Sequence, residues 1–234
     1  MSAMKIVFLD AATMGDVSFA PIEKLGDLVC YDRSSPQEAI ERVKDCEVLI
    51  INKVLVTPQL IDAAPSLKLI CESATGVNNI DLDYAASKGI TTMIENHGFF
   101  CQDSARVAKI ITETSNPNFG ALIDMGNFSC ADENSAVAVG ILAPYAKHVH
   151  AKDFHIKSGN ALNPGKGFFR SRGGNYLRGS IIGHGDIPVF QCLSILKSSG
   201  YYGFVSIEFE GMENCLDGLS VGFENLKKMT YALL

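Results

Sequence analysis

Eight short apolar runs, each set off from the next by a helix-like segment or loop, constrain this chain more than any other feature. They fall at residues 4–10, 27–32, 47–52, 67–73, 90–95, 119–124, 146–152 and 203–209. Short apolar runs bounded by turn signals read as strands buried on both faces of a parallel sheet. Most intervening segments open on helix-start residues: Ser35-Pro36, Thr57-Pro58, Asp81, Asp103, Asn134 and Asp186. Ser, Thr, Asn and Asp accept hydrogen bonds from the free N–H groups of a first turn, where Pro also fits. Residues 158–185, rich in Gly and Arg, read as a long loop, and a last helix starts near Gly218. Doubly wound sheets usually hold roughly five or six strands, whereas eight strand–helix units suit a closed ring. The expected fold is α/β, an eight-stranded parallel (β/α)8 barrel in which residues 1–234 form a single domain.

Composition narrows function by exclusion. No apolar run approaches the ~20 residues of a membrane span, and no signal-peptide pattern opens the chain. A net charge of −6 argues against a nucleic-acid surface, because phosphate binding takes a concentrated basic face. The seven cysteines are dispersed, without a C-x-x-C pair, which reads as reduced cytoplasmic thiols. Cys30, Cys46, Cys71 and Cys192 sit among apolar neighbours and are expected in the core. A cytoplasmic monomer without membrane or nucleic-acid partners is expected.

The last four runs each lead to a potential metal ligand. T-T-M-I leads to Glu95, G-A-L-I to Asp124, H-V to His150 and F-V-S-I to Glu208. The carboxyl ends of barrel strands converge on one mouth, where catalytic groups gather. Three carboxylates and an imidazole suit a divalent ion such as Mn²⁺, Mg²⁺, Co²⁺ or Zn²⁺, with positions left for substrate oxygens. A lone acid at a strand end is more simply a cap for the next helix. Several buried carboxylates together are costly unless a counter-charge joins them. His97 and Asn127 follow ligands closely and are read as lining the mouth, with plain loop structure as the alternative. His148 is read as turned away from His150, and Glu210 as orienting the ligands. His184 precedes a helix start, where free N–H groups suit an anion or simple capping. Arg170, Arg172 and Arg178 read as parts of a solvated loop.

Two families are resembled, one on each side of residue 90. Residues 4–90 resemble the N-terminal flavodoxin-like lobe of a D-2-hydroxyacid dehydrogenase of the glycerate dehydrogenase or hydroxypyruvate reductase type. The motifs are M-K-I-V-F-L-D (4–10), V-L-I-I-N-K-V (48–54) and L-K-L-I-C-E-S-A-T-G-V-N-N-I-D (67–81). The nucleotide-binding domain that this resemblance implies next does not follow, and no G-x-G-x-x-G occurs. The family's catalytic Arg, Glu and His belong to that domain, so hydride transfer is not expected and residues 75–79 reduce to a structural turn. Residues 91–234 resemble the C-terminal half of a sugar phosphate isomerase/epimerase of the xylose-isomerase-like barrel superfamily. Its motifs are I-E-N-H-G (94–98), A-L-I-D-M-G-N-F (121–128), H-V-H-A-K-D (148–153), I-G-H-G-D-I-P (182–188) and G-F-V-S-I-E-F-E-G (203–211). The resemblance implies Glu95, Asp124, His150 and Glu208 as metal ligands, with Glu95 and Glu208 also exchanging a substrate proton. Lys152 then reads as a contact for a sugar hydroxyl or phosphate, against a surface ion pair.

The combined expectation is an engineered or recombined chimera, joined at 90–92, with a vestigial divalent-metal site and no evolved activity. The alternative is an active isomerase or epimerase working on a small sugar or hydroxy-ketone through an enediolate. A multi-zinc abasic-site endonuclease would need histidines that the first ninety residues lack. Strand order is expected to be 2-1-3-4-5-6-7-8, because the first, third and fourth runs are apolar on both faces while the second is short and flanked by acids.

Overall fold

The computed structural model describes residues 3–16, 18–73, 79–98 and 100–233, which fall into two compact units, Met1–Thr92 and Met93–Leu234. In the first, β1 (Lys5–Phe8), β2 (Asp27–Cys30), β3 (Val48–Ile51) and β4 (Leu69–Glu72) pair in parallel in the order β2-β1-β3-β4. The helices between and after them are α1 (Ala20–Glu23), α2 (Pro36–Arg42), α3 (Pro58–Asp62) and α4 (Leu82–Ser87). As its pattern requires, β1 pairs with β3, and the acid-flanked β2 takes the edge.

Strand alternation decides which face each side chain covers. Ile6, Phe8 and Ile50 build one cluster, while Val7, Leu9, Leu49 and Ile51 join Val43 and Leu60 in the other. Ser35 and Glu38 close a reciprocal capping box at the start of α2, the Glu38 carboxylate accepting from Ser35 N at 2.8 Å. Just past β1, the buried Asp10 carboxylate accepts from the main-chain N–H groups of Asn52 (3.0 Å), Lys53 (2.6 Å) and Val54 (3.1 Å). One acid thus satisfies three donors beyond β3 and fastens the two central strand ends together.

The second unit contains β5 (Thr92–Glu95), β6 (Phe119–Asp124), β7 (Ala146–Ala151), β8 (Asp153–Lys157), β9 (Phe169–Arg170), β10 (Tyr176–Ser180) and β11 (Val205–Ile207). Four of these form a sheet of order β11-β7-β6-β5, in which β7 runs parallel to both β6 and β11. The helices α5 (Ser104–Thr114), α6 (Ser135–Leu142), α7 (Val189–Ser198) and α8 (Cys215–Tyr231) complete the unit. Asp103, Asn134 and Asn214 cap α5, α6 and α8. Val107, Val139, Leu142 and Leu193 from three helices pack with Ile123 and Val149 of the sheet in one core cluster. By alternation Asp124 and His150 face the other way.

Three sequence expectations change. Residues 158–185 are not all loop: β10 pairs antiparallel with β8 and β9. The Gly- and Arg-rich composition hides this, because the signal lies in the two-residue β9 and the five-residue β10, and Asp132 pins the bend by accepting from Ser171 Oγ at 2.6 Å and Asn175 Nδ2 at 2.8 Å. Cys30 is exposed rather than core, since it ends the edge strand β2. The last helix begins at Cys215, under the Asn214 cap. The turn expected at 75–79 lies, except for Asn79, outside the described residues. Among the described residues no helix is long and apolar enough to cross a membrane. Asp10→Ala strands three N–H donors at once, so a loss of about 1–3 kcal/mol in chemical denaturation is expected. An unchanged denaturation midpoint would show that water replaces the carboxylate without cost.

Candidate metal centre

Glu95 ends β5, Asp124 ends β6, His150 is next to last in β7, and Glu208 follows β11 directly. Register brings them together: His150 lies beside Asp124 on one side and Ser206 on the other, and Glu208 N donates to Ala151 O at 3.0 Å. His150 Nδ1 is 3.0 Å from Glu208 Oε2, 3.3 Å from Glu95 Oε1 and 3.9 Å from Asp124 Oδ2. One ligand atom from each of the four residues lies within 4.8 Å of every other. Oxygens on opposite sides of a small divalent ion are about 4.2 Å apart, twice a bond of ~2.1 Å. A few tenths of an ångström of closure would therefore fit the set to an ion.

The fit is supported by two buried oxygens, Asp124 Oδ2 and Glu95 Oε1, that accept no hydrogen bond. Asp124 is aimed by its other oxygen, which accepts from Gly126 N and Asn127 N, both at 2.8 Å. Asn96 anchors the same residue through its backbone: Asn96 Nδ2 donates to Asp124 O at 2.9 Å and Asn96 Oδ1 accepts from Asp124 N at 2.8 Å. The sequence reading missed Asn96, although its place directly after a strand-end ligand was a usable signal.

Lys152 is not at the surface. Its side chain is 1% exposed, with Nζ 2.9 Å from Glu208 Oε1, 3.3 Å from Asp124 Oδ2 and 3.1 Å from Asn127 Oδ1. A surface ion pair does not describe it: it is a buried cation among the carboxylates. Gly126 makes room for it, since a Cβ there would lie 2.8 Å from Lys152 Cγ. Glu210 stands 3.4 Å from the same ammonium and outside the four-ligand set.

Burial pushes the Asp124 carboxyl up to about 7 against the pull of the Lys152 charge. Glu208 moves the opposite way, held down first by its hydrogen bond to His150. Burial alone would lower His150, but its hydrogen bond to Glu208 and the close Glu95 and Asp124 carboxylates win and raise it to about 9. Lys152 likewise ends above its ordinary value, because Asp124 and Glu208 outweigh its burial.

His148 does not turn away. Residues two apart on a strand share a face, and the His148 and His150 rings meet edge to face at 5.5 Å, with His148 Nε2 2.8 Å from Ser206 Oγ. His97 and Asn127 both line a cavity of about 560 Å³, together with Phe154, Arg170 and Glu210. The Asn127 Nδ2 donor is buried there without a partner. At the His184 turn, the Asp153 carboxylate already accepts from Gly183 N (2.8 Å), Gly185 N (2.9 Å) and Ile187 N (3.1 Å), so those donors are not open to an outside anion. Arg172 is tied to Gln102 at 3.0 Å and Asp103 at 3.4 Å.

Removing one partner of a buried ion pair leaves the other uncompensated, at a cost of about 3–5 kcal/mol. Lys152→Met is accordingly expected to destabilise the metal-free protein by that much in thermal or urea unfolding, and adding Asp124→Asn should recover part of the loss. A Lys152→Met protein as stable as wild type would mean that the cluster's charges are not coupled as described.

The model of the xylose isomerase-like TIM barrel family matches residues 33–229 and so begins upstream of the junction expected at 90–92. Among solved structures, a xylose isomerase domain protein from Planctomyces limnophilus superposes with TM-score 0.60 at 16% identity, covering 99% of this chain and 98% of that one. A xylose isomerase-like TIM barrel protein from Mycobacterium smegmatis, in complex with magnesium, gives 0.53 at 14% identity over 99% and 74%. Curated relatives match a smaller part: a putative 2-hydroxyacid dehydrogenase of Haemophilus influenzae is 39% identical over 88 residues, 37% of this chain and 28% of that protein. The hydroxypyruvate reductase of Blautia hydrogenotrophica is 34% identical over 92 residues, 37% of this chain and 29% of its own length. The chain spans less than a third of the length of these relatives, and a partial dehydrogenase likeness is thus combined with a barrel-family pattern over most of its length. The chain belongs to the xylose isomerase-like TIM barrel family.

Proposed function

We propose that Glu95, Asp124, His150 and Glu208 hold one divalent ion, Mn²⁺, Mg²⁺, Co²⁺ or Zn²⁺, in a centre of the sugar isomerase/epimerase type. The observation that carries this reading is a four-residue cluster in which two buried carboxylate oxygens without a hydrogen bond, Asp124 Oδ2 and Glu95 Oε1, face one imidazole and the Lys152 ammonium. A divalent ion at that point would polarise a substrate carbonyl and its neighbouring hydroxyl, lowering the cost of an enediolate. Glu95 and Glu208 come from β5 and β11, the two edges of the sheet. In this reading both exchange the proton on the carbon beside the carbonyl of a small sugar or hydroxy-ketone. His97 and the unpaired Asn127 Nδ2 donor supply polar contacts in the adjoining cavity, while Lys152 positions the carboxylates. The eight-stranded closure in the order 2-1-3-4-5-6-7-8, and action as a monomer, are parts of the same proposal.

A second reading is that the chain is a recombined fold whose metal site is retained without evolved turnover. What favours it is the dehydrogenase likeness over 37% of the chain, in a family whose own early strands would supply half of a substrate pocket.

Ligation requires a neutral His150 and an ionised Asp124. With His150 at about 9 and Asp124 at about 7, one proton must leave above pH 7 and two below it. Calorimetry with Mn²⁺ should therefore show affinity rising about tenfold per unit between pH 7 and 9, and more steeply below. Asp124→Ala should bind at least about 100-fold more weakly; equal binding by both proteins would sink the assignment. Turnover separates the two readings. With Mn²⁺ and dihydroxyacetone in D₂O, an active centre washes deuterium into the carbon-bound position and loses this in Glu208→Gln, whereas a vestigial one binds metal and exchanges nothing.

A further inference from the structure

The first unit contains a cavity of about 510 Å³ formed by the loops that follow β1, β2 and β3, with Asp10, Arg33 and Lys53 each contributing from one loop. In the order β2-β1-β3, the chain leaves β1 toward one side, returns across it, and continues on the other. In open α/β sheets the crevice outside the carboxyl ends of the strands, at such a reversal, is where ligands enter. The volume lies within the range of pockets that enclose small organic molecules. Ile40 of α2, Leu60 of α3 and Val54 supply apolar wall, and Leu55, 63% exposed, stands at the rim.

The polar lining is one-sided. Asp10 has spent its carboxylate on three main-chain donors. Thr13 and Ser34 donate their hydroxyls to the Asp10 and Leu9 carbonyls at 2.6 and 2.5 Å. What remains for a guest is Arg33 and Lys53. Elsewhere in this unit Lys5, Arg42, Lys44, Lys68 and Lys88, all the other described lysines and arginines but Lys24, each have a carboxylate within 4.0 Å. Among the described residues neither Arg33 nor Lys53 has such a partner; the charge of Lys53 is felt by Glu72 without a bond.

We propose that this cavity is a binding site for a small organic anion, an apolar body carrying one phosphate or carboxylate, with the anionic group on Arg33 and Lys53 and the body against Ile40, Val54 and Leu60. The site stands apart from the metal centre in residues and in chemistry, and its test is independent of that reading.

The probes are 1-naphthyl phosphate and 1-naphthoate, with neutral 1-naphthol and inorganic phosphate as controls, followed by calorimetry and by amide shifts in NMR spectra of the full chain. One equivalent of at least one naphthyl anion is expected to bind. Naphthol and inorganic phosphate should each be at least about tenfold weaker, since a charge-assisted contact is worth about that much or more. Shifts should concentrate at the amides of Asn52, Lys53 and Val54. The Arg33→Gln/Lys53→Gln protein should keep its melting temperature, both side chains being exposed, and lose about tenfold or more in affinity. Which anion wins identifies the headgroup chemistry. Failure of both anions to saturate, equal affinity in the double variant, or shifts confined to the second unit would each overturn the proposal.

Discussion

The buried pairing of Lys152 with Asp124 is the interaction on which the second unit's chemistry rests. A wholly buried carboxylate is costly by itself, and Asp124 is 0% exposed. Two main-chain N–H groups aim one of its oxygens, and the ammonium 3.3 Å away faces the other. Because Lys152 also reaches Glu208 and Asn127, one cation sets the positions of groups from two separate chain segments. The missing side chain at Gly126 is what lets the lysine stem pass.

This arrangement makes protonation part of the architecture. Without a divalent ion, His150 and Lys152 are the cations that face Glu95, Asp124 and Glu208. A metal ion would take over the imidazole's share of the positive charge and displace its proton, while Lys152, engaged with its own acceptors, would stay. The cluster can thus lose one charge and gain another with its carboxylates still compensated. A cation that only ligation could supply would leave the empty site unstable.

Much of this was legible in the residues. The parallel strands, their capped helices and the β1–β3 pairing followed from apolar runs, Ser/Thr/Asp/Asn starts and the polar flanks of the second strand, all local signals. The four-residue cluster was visible because each member ends or closely follows a strand, where alternation and convergence do the placing. What escaped had weaker or opposed signals. The hairpin strands β9 and β10 were masked by glycine and arginine around them. Lys152 looked like a surface charge because nothing in a sequence announces that a lysine will be enclosed by acids. His148 shares the face of His150, as residues two apart on a strand do, so strand alternation itself argues against its being turned away. The Asp153 turn shows how a side chain can fill a place that backbone geometry alone would offer to a ligand.

The sheet order of the first unit bears on how the chain is made. In a sequential ring the first strand waits for the eighth as well as the second, whereas here β1 is flanked by β2 and β3, and its Asp10 clamp closes on residues 42 to 44 positions later. Contacts so distant along the chain form slowly. A ribosome that has released residues up to about 40 but not yet 48–54 therefore presents an apolar strand, Lys-Ile-Val-Phe, with one edge unpaired and its later cover still unmade. Exposed edges of that kind recruit other chains. Yield in a cell would then depend less on the stability of the finished protein than on how fast residues 48–54 emerge, and on whether a chaperone shields β1 until they do.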